Sequence, residues 1–255
     1  PFAGRNFEYY SEDGLLAGKI AAEVVSGAAS KGLYAYIKHF ALNDQETWRT
    51  TALCTWADEQ TIREIYLKPF EICVKEAKYE IDYIADENGN HAAKEMNATT
   101  AVMSSFNRIG TTWAGGNKNL MTNVLREEWG FRGFALSDFN LYEYMSADQG
   151  MRAGTDMQLT WSMMKGSFAD TDSATARQAI RTAYHNVFYT VANSNAMQGV
   201  APGTIITYKT SGWRILFYVV DGVLLSFVLL GTSWVLVRTL LLSKKHKEEE
   251  TTANN

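Results

Sequence analysis

Residues 215–237 read ILFYVVDGVLLSFVLLGTSWVLV, and this run, whose single charge is Asp221, constrains the chain more than any other stretch. At about 1.5 Å per residue a helix of that length covers roughly 34 Å, against a hydrocarbon core of about 30 Å. A buried helix of a soluble domain is seldom so long and so uniformly apolar. Trp213 and Tyr218 near one end and Trp234 near the other suit the two membrane interfaces. Arg238 and Lys244-Lys245-His246-Lys247 follow the run, whereas Lys209 and Arg214 precede it, an excess that directs the C-terminus to the cytoplasm. The expectation is a single-pass protein of the cell membrane: a domain over 1–196 held outside, a linker over 197–212, a transmembrane helix over 213–242 and a cytoplasmic tail over 243–255. Asp221 falls near the outer end, where a carboxylate reaches water or headgroups. The closing EEETTANN is polar enough to stay disordered.

The rest of the chain has a different character. Hydrophobic residues make up 46% and charged residues 20%, which supports a packed core and excludes a disordered chain. A net charge of −4 gives no field to attract nucleic acid. The two cysteines, Cys54 and Cys73, permit one disulfide, but Cys73 lies in the apolar stretch Phe70-Glu71-Ile72-Cys73-Val74 and reads as a buried thiol. The chain contains no CxxC or HExxH spacing, and no metal or cofactor is expected. It opens at Pro1 in what reads as domain interior, so a longer parent protein is expected.

Short apolar runs alternate with amphipathic ones. Residues 15–31 predict a helix with Leu16, Ile20, Val24 and Ala28 inward, and Leu33-Tyr34-Ala35-Tyr36-Ile37 predicts a strand ending at Lys38-His39-Phe40. A helix over 59–78, with Ile62, Ile65, Tyr66 and Phe70 on one face, should kink or break at Pro69. A strand over 99–104, a helix over 119–129, the strand Phe134-Ala135-Leu136 and a helix over 173–193 follow, the last with Ala176, Ala179, Ile180, Ala183, Val187 and Val191 inward. Four or five βα units point to an α/β domain with a parallel sheet, as a (β/α)8 barrel or a doubly wound fold. No GxGxxG opens a helix after a strand, which counts against a dinucleotide fold.

Polar residues gather where strands end: Lys38-His39, Ser104-Ser105-Phe106-Asn107 and Ser137-Asp138. In βα barrels chemistry sits on that rim. Asp138 there can serve as a nucleophile, a metal ligand or the cap of the following helix. No GxSxG elbow supports a Ser-His-Asp hydrolase. The triplet Asn97-Ala98-Thr99 fits a glycosylation sequon.

Seven segments then fall in one recognisable order. Gly4-Arg5-Asn6-Phe7-Glu8 with Ser11-Glu12-Asp13 resembles the GRNFE…SEDP segment of family 3 glycoside hydrolases. Lys38-His39-Phe40 with Asn43, Gln45-Glu46 and Arg49 is similar to their KHF…N-x-QE-x-x-R stretch, and the helix after it resembles residues 63–71. Met103-Ser104-Ser105-Phe106-Asn107, residues 125–133, Ser137-Asp138 and Ala153-Gly154-Thr155-Asp156 continue the series over residues 1–195. The resemblance implies a (β/α)8 barrel, here lacking its early strands, that runs a retaining, exo-acting hydrolysis of terminal β-linked glucose or a similar sugar. It implies Asp138 as nucleophile, Arg5, Lys38 and His39 as donors to sugar hydroxyls, and Met103, Phe106 and Phe139 as walls of the same subsite. Asp44, Glu46 and Asp156 are rival carboxylates; Asp156 is expected to brace the barrel rim, and Glu46 to pair with Arg5 or Arg49.

The sequence also departs from the family pattern. Phe139 stands where many members have Trp, Gly14 where Pro is usual, and Ala41-Leu42-Asn43 replaces the Pro-Gly-His of the N-acetylglucosaminidase branch, which favours the glucosidase-like one. The acid/base has no counterpart, so its domain is expected upstream of Pro1 and the fragment alone is expected to be inactive. A membrane-tethered, non-catalytic sugar-binding module and a glycoside phosphorylase are the alternatives.

Overall fold

A computed structural model describes residues 4–49, 51, 53–140, 142, 144–160, 168–194 and 207–253. The chain divides into two units, Pro1–Val200 and Ala201–Asn255. In the first, α1 (Gly14–Ala29) leads to β1 (Tyr36–Phe40), β2 (Cys54–Thr55) and α2 (Glu59–Thr61). After a π-helical turn (Ile62–Tyr66) come α3 (Lys68–Glu76), β3 (Lys78–Ile84), β4 (His91–Asn97), β5 (Ala101–Ser104), β6 (Arg108–Ile109) and β7 (Thr112–Trp113). A π-helix (Asn119–Glu128), β8 (Phe134–Leu136), α4 (Ala147–Ala153) and α5 (Ala174–Ala192) complete it. The second unit is one helix, α6 (Gly212–Ala253).

The sheet that matters runs β1-β5-β8, all parallel, with Tyr36 opposite Ala101 and Ala101 opposite Phe134. One further parallel bridge joins Leu136 to Met157. Among the described residues this is an open, helix-covered parallel sheet and not a closed barrel. Val102 and Ala135 are fully buried at its centre, packed with Phe40, Met121, Leu125 and Trp129. Gly133 lets β5 and β8 come together: a Cβ there would lie 1.9 Å from the carbonyl oxygen of Thr100. Gly133→Ala is therefore expected to destabilise the domain by about 3 kcal/mol, read as a lower urea midpoint at unchanged slope.

Several local expectations shift. β1 starts at Tyr36, three residues later than expected, and ends in Lys38-His39-Phe40 as expected. The buried stripe of α1 is Gly18, Ala22, Val25 and Ala29, while Leu16 and Val24 point outward. Close approach to α3 selects small residues, since a Cβ on Gly18 would lie 2.8 Å from Ile72. Along α5 the buried positions are Ala176, Ala183, Asn186 and Thr190, and Val191 is exposed, because polar partners below the sheet hold that face. Pro69 sits in the first turn of α3, so the expected break falls where the helix restarts. Ile62, Tyr66 and Phe70 pack on the core as expected, but Ile65 is exposed.

The antiparallel hairpin β3–β4 was not anticipated, although Tyr79, Ile81 and Tyr83 alternate and Asn88-Gly89 marks its turn. Gly89 takes φ +81° there, and Asp86 Oδ1 accepts the N–H groups of Asn88 and Asn90. Both cysteines are free, with Cys73 buried. In the second unit Gly212–Lys244 is long and apolar enough to cross a membrane. The tail expected to be disordered continues as helix to Ala253, in keeping with the helix propensity of its Lys and Glu residues. Of the expected linker, 197–206 lie outside the described residues.

Candidate functional site

Arg5, Lys38, His39 and Asp138 come together at the C-terminal edge of the parallel sheet. Lys38 and His39 are the third and fourth residues of β1, and Asp138 lies two residues past the end of β8. Arg5 arrives from a single 3₁₀ turn, Asn6–Glu8. Oδ1 of Asp138 accepts the N–H of Phe139 at 2.7 Å. Among the described residues its Oδ2 is buried without a hydrogen-bond partner, and it lies 3.5 Å from Nε2 of His39. The same Nε2 is 3.5 Å from Nη1 of Arg5. The other edge of that guanidinium is taken by Glu8, with Nε and Nη2 donating at 2.8 and 2.7 Å.

Burial pushes the Asp138 carboxyl above the usual carboxylate range, while the Phe139 N–H and the charges of Arg49, Lys38 and Arg5 pull it back. Burial, reinforced by Lys38, Arg5 and Arg49, takes His39 down to about 4. The imidazole is thus neutral near pH 7, and its contact with Asp138 is not an ion pair. Around it the cations Arg5, Lys38 and Arg49 balance the carboxylates Glu8, Glu46 and Asp138.

Two members of the site went unnoticed as such. Arg49 donates to Glu46 at 2.9 Å, which settles the partner of Glu46, and its guanidinium lies 4.7 Å from the centroid of the Phe106 ring. Tyr144 donates its hydroxyl to the carbonyls of Phe106 (3.1 Å) and Arg49 (3.4 Å), with Arg108 over its ring at 4.1 Å. Burial pushes that hydroxyl up to about 12. The aromatic cluster after Ser137-Asp138 was the signal for Tyr144: Phe139, Tyr142 and Tyr144 pack against Phe106, Trp113 and Met145. Phe106 and Phe139 thus belong to one aromatic wall. Met103 is half-buried in β5 opposite Leu136, two residues before Asp138 in the paired strand.

The rival carboxylates separate by position. Oδ2 of Asp156 accepts from Arg126 at 2.5 Å and from the N–H of Ala135 at 2.8 Å, and its Oδ1 accepts from Asn186. Its own N–H donates to the carbonyl of Ala135, the middle residue of β8 and three residues before Asp138, so it braces the sheet at that level and not at the rim. Asp44 is half-buried, and burial pushes its carboxyl up. A cavity of about 520 Å³ is walled at its polar end by Arg5, Glu8, Lys38, His39, Asp44 and Glu46, and elsewhere by apolar residues of α1, β1 and α3. Asp138 is not among its lining residues; His39 is, and its Nε2 lies 3.5 Å from Oδ2 of that carboxylate. No cluster of His, Cys, Asp or Glu able to hold a metal occurs among the described residues.

No family model matches the chain. Individual relatives do. The beta-glucosidase B of Emericella nidulans is 39% identical over 159 residues, 62% of this chain and 16% of that protein. The thermostable beta-glucosidase B of Acetivibrio thermocellus is 36% identical over 162 residues, 64% of this chain and 18% of that one. Among solved structures, beta-glucosidase 3B from Thermotoga neapolitana, in complex with glycerol, matches with a TM-score of 0.59 at 31% identity, over 77% of this chain and 26% of that one. The GH3 beta-glucosidase of Bifidobacterium adolescentis gives 0.61 at 28%, over 80% and 27%. The chain therefore spans about a sixth of the curated relatives' length and about a quarter of the solved ones.

Proposed function

We propose that this chain is the later part of the barrel domain of a family 3 β-glucosidase-like glycoside hydrolase. In this reading it removes terminal β-linked glucose or a similar sugar with retention, through a glycosyl-enzyme on Asp138. One observation carries the reading: at the sheet's C-terminal edge a buried carboxylate oxygen, Oδ2 of Asp138, has no hydrogen-bond partner among the described residues and lies beside a neutral imidazole inside a ring of cations. That oxygen attacks C1 as the leaving oxygen takes a proton from a second carboxylic acid. The same acid then activates the water that releases the sugar. Arg5, Lys38 and His39 donate to hydroxyls of the bound sugar, while Met103, Phe106 and Phe139 wall its subsite.

The acid/base is assigned to another part of the parent protein. The β1 edge of the sheet, next to the outward Leu15, Leu16 and Val24 of α1, is where preceding barrel strands and helices would pack. The length and composition of Gly212–Lys244 support a membrane anchor, with the catalytic part outside and the C-terminus cytoplasmic. The test is to incubate the full-length protein with an activated 2-deoxy-2-fluoro-β-glucoside and map the adduct by peptide mass spectrometry. The expected label is on Asp138. Glucose binding without any label identifies the sugar-binding module instead, and turnover that requires phosphate identifies the phosphorylase.

A further inference from the structure

We propose that Glu8 is a positioning residue for the nucleophile: by holding Arg5, it keeps Nε2 of His39 free of a proton and so leaves Oδ2 of Asp138 without a donor. The inference rests on the assignment of Asp138 above, but its first readout does not.

Nε2 of His39 has two neighbours with opposite demands, each at 3.5 Å. A guanidinium donates and never accepts, so Nη1 of Arg5 is satisfied only by a lone pair on Nε2, with the ring proton on Nδ1. The carboxylate oxygen is satisfied only by the other tautomer, Nε2–H. One nitrogen cannot serve both. Glu8 decides between them through geometry. Its two oxygens take Nε and Nη2 of Arg5 at 2.8 and 2.7 Å, the paired fork that fixes a guanidinium in orientation as well as place. The donor left over, Nη1, is then aimed at His39. Among the described residues Oδ2 has no hydrogen-bond partner, and its 3.5 Å separation from Nε2 is a gap that the ring, once released by Arg5, closes by a small rotation.

The consequence is chemical. A carboxylate oxygen relieved of hydrogen bonds is more basic and a better nucleophile than one that accepts from imidazole. When Glu8 is removed, Arg5 loses its fixed orientation, Nε2 takes the proton, and Oδ2 gains a donor. A donor to the charged form lowers the carboxyl's pKa, so the acid limb of kcat/KM moves to lower pH while attack slows. The charged and titratable groups around Asp138 are Arg5, Lys38, His39, Arg49, Tyr144, Glu46 and Glu8, and only the charge of Glu8 is lost in Glu8→Ala and Glu8→Gln.

The experiment compares wild type with Glu8→Ala, Glu8→Gln and Glu8→Asp in the full-length protein. First, ¹⁵N-histidine labelling reads the ring tautomer, with His39→Gln identifying the His39 signals. Wild type and Glu8→Asp are expected as Nδ1–H, and Glu8→Ala and Glu8→Gln as Nε2–H. Second, the rate of fluoro-glucoside trapping is expected to fall about tenfold in Glu8→Ala, with its acid limb moved to lower pH. The same tautomer in wild type and Glu8→Ala overturns the proposal, as does an acid limb that stays in place. Absence of any label on wild type overturns the nucleophile assignment instead, whatever tautomer is found.

Discussion

Asp138→Ala in the full-length protein is expected to lower turnover of an aryl β-glucoside by ~10⁴-fold or more while leaving the fold intact. The loss is large because, in the proposed mechanism, the oxygen removed is the one that forms the bond to C1, and among the described residues no neighbouring carboxylate is placed to replace it. Glu46 is engaged with Arg49, Glu8 with Arg5, and Asp156 is tied to Ala135 in the middle of β8. The structural cost is small by comparison. The Asp138 side chain accepts one bond, from the N–H of Phe139, and losing it costs about 1 kcal/mol, partly offset because a buried carboxylate is removed as well. Asp138→Asn separates charge from shape: it fills the same space, cannot attack, and should be as slow as Ala. Azide should restore turnover in the Ala variant alone, entering the space left by the carboxylate and giving the glycosyl azide of inverted configuration. Turnover near wild type in either variant removes Asp138 from the mechanism.

Arg126→Met is expected to destabilise the domain by about 3–5 kcal/mol, without any direct effect on chemistry. Arg126 and Asp156 are both largely buried, and burial pushes the carboxyl up and the guanidinium down while their contact opposes both. Arg126 also donates to the carbonyls of Gly133 and Gly154, so one side chain fastens the entry to β8, the end of α4 and the strand beyond it. Removing it strands an ionised Asp156 and two carbonyls away from water, which is why truncating one partner costs far more than the net worth of the pair. Asp156→Asn should cost less but not little. Its single acceptor oxygen cannot satisfy Ala135, Arg126 and Asn186 together, and its NH₂ must face one of those donors. Urea midpoints, with circular dichroism to confirm the fold, measure both. A midpoint for Arg126→Met within about 0.5 kcal/mol of wild type contradicts this account.

These variants bear on what could be read from the chain alone. Strand positions such as Phe134-Ala135-Leu136 were legible because buried parallel strands are short continuous apolar runs, and Pro69 marked its own helix break. The face of α1 was misjudged, and that of α5, where Ala176 and Ala183 are buried as expected, was read only in part, because periodicity rewards large apolar residues. Contact with α3 instead demanded Gly18 and Ala22, and the underside of the sheet demanded Asn186 and Thr190. Asp156 was recognised as structural but put at the rim, whereas it is tied to Ala135 in the middle of β8, since a motif carries no register. Arg49 was legible as a partner for Glu46 but not as a neighbour of Phe106 and Asp138, and Tyr144 had no motif.

Residue order settled the elements, the apolar helix and the identity of the polar residues at strand ends, because these follow from local periodicity and composition. Packing alone decided that His39 is a neutral ring between Arg5 and Asp138 and that Oδ2 has no donor among the described residues. Charge state and hydrogen-bond polarity depend on distances of a few ångströms between residues 34 and 99 positions apart, and only the folded chain sets those distances.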